Sequence, residues 1–155
     1  MTTLFIDADA CPVTREAISV ARAHGLSVVL VANDSQNLGK YAGRPGVEAV
    51  QVGTGRDSAD FAVVERLRPG DFVVTNDTGL AAMVLGRGAK AVSPRGREYT
   101  TAAIDMELAV RHAEQKLRRQ GGRTRGPAPF EEQDREQFRD SMDRLLRDRE
   151  RPGLG

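Results

Sequence analysis

A three-layer α/β/α fold with a mostly parallel central sheet is predicted by three features of the chain. Short β-branched apolar runs alternate with helical periodicity over the first 92 or so residues. Residues 26–32 (LSVVLVA) and 72–75 (FVVT) are apolar almost throughout, as strands buried on both faces are. Gly, Pro, Asn and Asp punctuate the changes of period. Such alternation is satisfied by parallel strands joined by helices that cover both faces of one sheet.

Taken in order, Leu4-Phe5-Ile6 is a short buried strand that ends in Asp7-Ala8-Asp9-Ala10-Cys11-Pro12. Pro12 suits the first turn of a helix, where its missing N–H leaves nothing unsatisfied. Residues 13–24 carry Ala17, Val20, Ala21 and His24 at i, i+3, i+4 and i+7, and Gly25 closes that helix. The second strand is 26–32. Residues 33–46, polar and glycine-rich, read as a loop. Residues 47–52 form a third strand and 53–56 a turn. Residues 57–67 form a helix with Phe61 and Val64 facing inward, ended by Pro69-Gly70.

The fourth strand, 72–75, leads through Asn76-Asp77-Thr78-Gly79 into a short helix at 80–86, and 89–92 is a fifth strand. Residues 102–120 form a long helix whose apolar positions Ile104, Leu108, Val110, Ala113 and Leu117 are imperfectly periodic. A Gly/Pro/Arg loop follows at 121–130. The helix at 131–149 is heavily charged, with one apolar stripe of Phe138, Met142, Leu145 and Leu146 at i, i+4, i+7 and i+8. The expected organisation is an α/β domain over 1–120, a loop and C-terminal helix over 121–150 packed on the domain or on a partner, and a frayed tail at 151–155.

Composition narrows the class. The 155 residues suit one domain with a substantial core. The net charge of +1 does not suggest a strongly basic nucleic-acid binder, but Arg111, Lys116, Arg118, Arg119, Arg123 and Arg125 face only Glu114 across 111–126. One cysteine precludes an intrachain disulfide, and no leader or membrane-length apolar run is present, so a cytoplasmic location with no membrane partner is expected. Cys11, at a helix start, has no base tied to it by sequence and reads as a buried free thiol. His24 and His112 read as helix-surface residues.

The acids carry the chemistry. Asp7 and Asp9 follow the first strand, Asp57 and Asp60 open a helix after the third, and Asp77 follows the fourth. In a parallel sheet these positions share one edge. Two carboxylates about 4 Å apart repel by about 4 kcal/mol at an effective dielectric near 20. A group of them calls for protonation or for a hard cation, Mg²⁺ or Mn²⁺. That is the chemistry of phosphodiester hydrolysis. Each acid also has a local use: Asp57 and Asp77 as N-caps, Asp60 in a first helical turn, Asp9 as a cap for the turn at Cys11-Pro12.

Two stretches carry a resemblance. Val73-Val74-Thr75-Asn76-Asp77-Thr78-Gly79-Leu80-Ala81-Ala82 resembles the segment of PIN-like nuclease domains in which a strand ends in Thr-Asn-Asp before a Leu-Ala helix. More closely, the chain resembles the YaiI/YqxD family of bacterial proteins. Matching residues include Asp7-Ala8-Asp9-Ala10-Cys11-Pro12, Gly55-Arg56-Asp57-Ser58-Ala59-Asp60, Gly126-Pro127, Phe130, Asp134-Arg135 and Phe138. The resemblance implies a PIN-like domain with a C-terminal helical extension and a metal-binding acidic pocket. The PIN acids would fall on Asp7, on Asp57 or Asp60, and on Asp77.

The expected function is a divalent-metal-dependent phosphodiesterase acting on nucleic acid, RNA above all. Asp7, Asp9, Asp60 and Asp77 would be catalytic, with Asp57 a further metal ligand. Asn33, Arg123 and Arg125 would bind substrate phosphate. Two rivals remain: a haloacid-dehalogenase-type phosphatase using Asp7 as nucleophile, and a non-catalytic RNA- or protein-binding module using the basic stretch. The C-terminal helix could also join two copies of the chain.

Overall fold

The structure, a computed structural model, describes residues 2–55, 57–122 and 128–150. Five strands form one parallel sheet: β1 (Thr3–Asp7), β2 (Ser27–Ala32), β3 (Val47–Gln51), β4 (Phe72–Val74) and β5 (Lys90–Val92). Their order is β3-β2-β1-β4-β5. The chain winds outward from β1 to β3, returns to the far side of β1, and winds outward again to β5. Right-handed crossovers in opposite directions place helices on opposite faces.

One face carries α1 (Thr14–Ala23), α2 (Ser35–Gly39) and α6 (Glu132–Arg149). Its core joins Leu4, Ile6, Leu30, Phe72 and Val74 of the sheet to Val13, Ile18, Leu38, Phe138 and Met142. The other face carries α3 (Ser58–Arg66), α4 (Thr78–Gly86) and α5 (Thr101–Arg119). There Phe5, Val31, Val73 and Ala91 meet Val63, Leu80, Val84 and Ile104. Alternation along β1 therefore sends even positions to one layer and odd positions to the other.

The apolar stripe of α6 is buried within the chain itself, so this helix completes the first layer of the 1–120 domain. Its close approach to the segment between β5 and α5 depends on Gly96. Gly96 has φ +89°, and a Cβ there would lie 2.8 Å from the Gln137 carbonyl oxygen and 2.9 Å from Ser141 Oγ. No other residue type meets both demands at no cost.

The structure corrects several sequence expectations. The loop at 33–46 contains α2, started by Asp34, whose carboxylate accepts from the Gln36 N–H at 2.8 Å, and anchored by buried Leu38. Pro12 lies before α1, whose N-cap is Val13. In α3 Val64 packs half-buried against the core as expected and Val63 is fully buried, while Phe61 is 72% exposed. The face of Ala59, Val63 and Leu67, at i, i+4 and i+8, packs on the sheet instead. On α5 only Ile104 is buried, and Leu108, Val110 and Leu117 face outward. No helix among the described residues is long and apolar enough to cross a membrane.

Candidate acidic site at the sheet switch point

Strand order reverses between β1 and β4, and in open α/β sheets the crevice beyond the strand C-termini at such a point is where ligands bind. Asp7 ends β1 and Asp77 follows β4 by three residues, so the two acids flank that crevice. Asp7 has the parity of Phe5, which places it on the α3–α4 side of the sheet. Asp57 and Asp60, at the start of α3, lie on the same side.

The charges of these acids reach one another. The Asp7 carboxyl is raised from 3.8 to about 6, first by burial and then by the charges of Asp60, Asp9 and Asp77. The Asp60 carboxyl is also raised, by burial and then by Asp77 and Asp57. Asp7 thus feels the charges of Asp60, Asp9 and Asp77, and Asp60 those of Asp77 and Asp57. Neither Asp7 nor Asp60 has a hydrogen-bond or ion-pair partner among the described residues.

The other acids are differently engaged. Asp77 caps α4: Oδ1 accepts from the N–H groups of Gly79 (2.8 Å) and Leu80 (3.2 Å), and Oδ2 has no such bond. The Asp77 N–H is held by Thr75 Oγ1 at 2.9 Å, and the buried Tyr99 hydroxyl donates to the Thr75 carbonyl at 3.2 Å. Tyr99 thereby fixes the end of β4. Asp57 stands at the N-cap position of α3 but makes no side-chain cap bond.

Asp9 does not cap the turn at Cys11-Pro12. Its carboxylate accepts from the Asn33 N–H (2.7 Å), the Asp34 N–H (3.3 Å) and Asn37 Nδ2 (2.9 Å). It ties the end of β1 to the end of β2 and the start of α2. Asn33 is exposed at that junction, its side chain making no hydrogen bond among the described residues. Arg123 and Arg125, and Gly126-Pro127 with them, lie outside the described residues.

As they stand, no three His, Cys, Asp or Glu side chains among the described residues are gathered closely enough to hold a metal ion. The donor chemistry nonetheless suits Mg²⁺, which keeps several of its waters and is usually bound through one or two carboxylates. Uncompensated hard oxygens at Asp7, Asp60 and Asp77 Oδ2 would hold such an ion partly through water.

Cys11 is half-buried rather than buried, and its thiol is pushed up to about 11, chiefly by desolvation, which disfavours the thiolate at neutral pH. His24 is not a surface residue. Its Nε2 meets Asp143 Oδ1 and its Nδ1 meets Glu150 Oε1, both at 2.7 Å, joining the end of α1 to α6. Arg135, also missed as a structural residue, donates to the Pro12 carbonyl, pairs with Glu16 at 3.5 Å and lies 5.2 Å from the Phe130 ring centre. The spacing 119 residues and more from their partners hides both contacts from sequence inspection.

The chain matches the family described as "Uncharacterized BCR, YaiI/YqxD family" over residues 5–148. It is 42% identical over 143 residues to a "UPF0178 protein" of Exiguobacterium sibiricum, covering 92% of this chain and 95% of the relative. It is 43% identical over 146 residues to a "UPF0178 protein" of Caulobacter vibrioides, covering 94% of each. No solved structure matches it significantly.

Proposed function

The chain belongs to the YaiI/YqxD family, and from the acid cluster at its switch point we propose that it is a cytoplasmic, divalent-metal-dependent phosphodiesterase, a PIN-like ribonuclease. The observation that carries this is the repulsion that Asp7 meets from Asp60 and Asp77, and Asp60 from Asp77, at the switch point between β1 and β4, where neither Asp7 nor Asp60 has a hydrogen-bond or ion-pair partner among the described residues. Folding against such repulsion is a stability cost, and functional sites are where such costs persist. Mg²⁺ or Mn²⁺ would be held by Asp7, Asp60 and Asp77, with Asp57 and Asp9 in support through water. Such an ion supplies Lewis acidity: it lowers the pKa of an attacking water and offsets charge on the phosphate.

The chain's own residues would prepare this site. Tyr99 and Thr75 fix the end of β4, and the α4 cap uses one Asp77 oxygen and leaves Oδ2 without a hydrogen bond. Asp9 braces β2 and α2 at its rim, where the Asn33 amide can donate to a phosphate oxygen. Arg123 and Arg125 would meet the nucleic-acid backbone from beyond α5.

A phosphatase using Asp7 as nucleophile is less well supported. It would need Asp9 as proton donor, and Asp9 instead accepts three hydrogen bonds as a carboxylate. Incubation with single-stranded, structured and duplex RNA in Mn²⁺ tests the proposal. Cleavage that stops with chelator and in Asp7→Asn supports it. No cleavage of any substrate sinks it, and binding that survives Asp7→Asn would then favour a binding module.

A further inference from the structure

Beside the acidic edge lies a second feature of opposite charge. A cleft of about 700 Å³ opens between α1, the segment after α2, and the first half of α6. That volume is within the range of ligand sites. Five cations line it, Arg15, Lys40, Arg44, Arg135 and Arg139, against the carboxylates of Glu16 and Glu132. Both carboxylates pair with Arg135. Arg15, Lys40, Arg44 and Arg139 have no acidic partner among the described residues.

This distinguishes the cleft from its neighbour across α6. The neighbouring hollow, lined by Arg95, Arg97, Arg111 and Arg144, is also rich in arginine, but three of those four side chains are engaged. Arg95 pairs with Asp134 at 3.7 Å, Arg97 pairs with Glu107, and Arg111 donates to Thr78 Oγ1 at 3.3 Å. In the first cleft Arg44 is held in place without using a carboxylate: its guanidinium lies 5.0 Å from the Tyr41 ring centre. A guanidinium stacked on a ring keeps its N–H fork for an anion. The cleft begins at Cys11 and Pro12, two and three residues beyond Asp9.

We infer that this cleft is the path of a single-stranded nucleic acid, its successive phosphates taken by Arg15, Lys40, Arg44 and Arg139 while another phosphate of the same strand lies at the acidic crevice. The inference rests on the proposed phosphodiesterase activity for its second half only. Its first half, phosphate recognition by four unpaired cations, stands on the cleft itself. Opposite charges on the two sides of one sheet edge suit a polyanion that crosses that edge, its reacting phosphate needing a cation and its flanking phosphates counter-charges.

The test uses a fluorescein-labelled ten-nucleotide ribo-oligonucleotide, bound to the full chain in EDTA so that no cleavage occurs. Arg15→Glu/Arg139→Glu changes two exposed helix residues and is compared with Arg87→Glu/Lys90→Glu, an equal charge change at exposed positions outside both hollows. The cleft variant is expected to weaken binding at least tenfold and to flatten the log K against log [salt] slope by about 1.4, two phosphates at about 0.7 each. The control variant is expected to change binding less than threefold. Equal losses in both variants, or none in the cleft variant, overturn the inference. Binding of AMP or inorganic phosphate as tight as that of the oligonucleotide overturns it in favour of a small-anion site. Cleavage in Mn²⁺ is scored separately. Cleavage that survives in the cleft variant with binding unchanged refutes the path and leaves the activity standing. Cleft-dependent binding without any cleavage refutes the activity and leaves the path standing.

Discussion

Asp60, in the first turn of α3, faces Asp7 at the end of β1, and after burial its charge is the largest influence holding the Asp7 carboxyl at about 6. Two residues 53 positions apart in sequence thus share one electrostatic site, and the consequences can be measured.

The first is a stability gain on losing a carboxylate. The folded Asp7 titrates at about 6 against 3.8 for the ordinary group, so the folded state binds the extra proton between those values. Stability from this group therefore falls as pH rises from about 4 to about 6 and stays low above that. Asp7→Asn removes the effect. Its expected gain at pH 7.5 is of order 1 kcal/mol, discounted for partial solvent access, with no gain at pH 3.5. Denaturant melts of ion-free protein at the two pH values check both sign and window.

Asp71 supplies the contrast. This buried acid accepts from the Thr3 N–H at 3.0 Å and the Arg68 N–H at 2.9 Å, at the opposite edge of the sheet. Asp71→Ala leaves two partly buried N–H donors without their acceptor and is expected to cost about 1 kcal/mol. Mn²⁺ binding should be unchanged in the folded variant, as calorimetry would report.

Asp9 should behave in an intermediate way. Asp9→Ala frees the amides of Asn33 and Asp34 from their acceptor. Hydrogen exchange at those two amides is expected to rise at least tenfold, with a smaller loss of Mn²⁺ affinity than Asp7→Asn produces.

His24 links α1 to α6 as a cation. Its proton affinity is raised, first by the hydrogen bond to Asp143 and then by that to Glu150. Arg147 and Arg149 also approach those carboxylates, at 3.2 Å and 3.7 Å. For a raised histidine the stabilisation is fully present below its unfolded value of 6.5 and is lost as pH rises through its folded value. His24→Gln should cost about 1 kcal/mol at pH 6 and progressively less at higher pH. Thermal melts of both proteins from pH 6 to 9 check this.

Much of the fold was legible because parallel strands buried on both faces leave long apolar runs, as in β2 and β4. The acids were legible because strand ends in such a sheet share an edge. What escaped depended on distant partners. Asp9 looked like a local cap, but its donors come from residues 33–37. Phe61 looked like core because it is large, yet the face that packs is that of Ala59, Val63 and Leu67. The cations of the α1–α6 cleft are spread from residue 15 to residue 139, and only the packing of α6 beside α1 assembles them.

Calorimetric titration of the full chain with Mn²⁺ at pH 7.5, beside Asp7→Asn, tests the central claim most directly. Saturable binding that weakens at least tenfold in Asp7→Asn is the predicted result. Absence of saturable binding, or equal binding by both proteins, would contradict it.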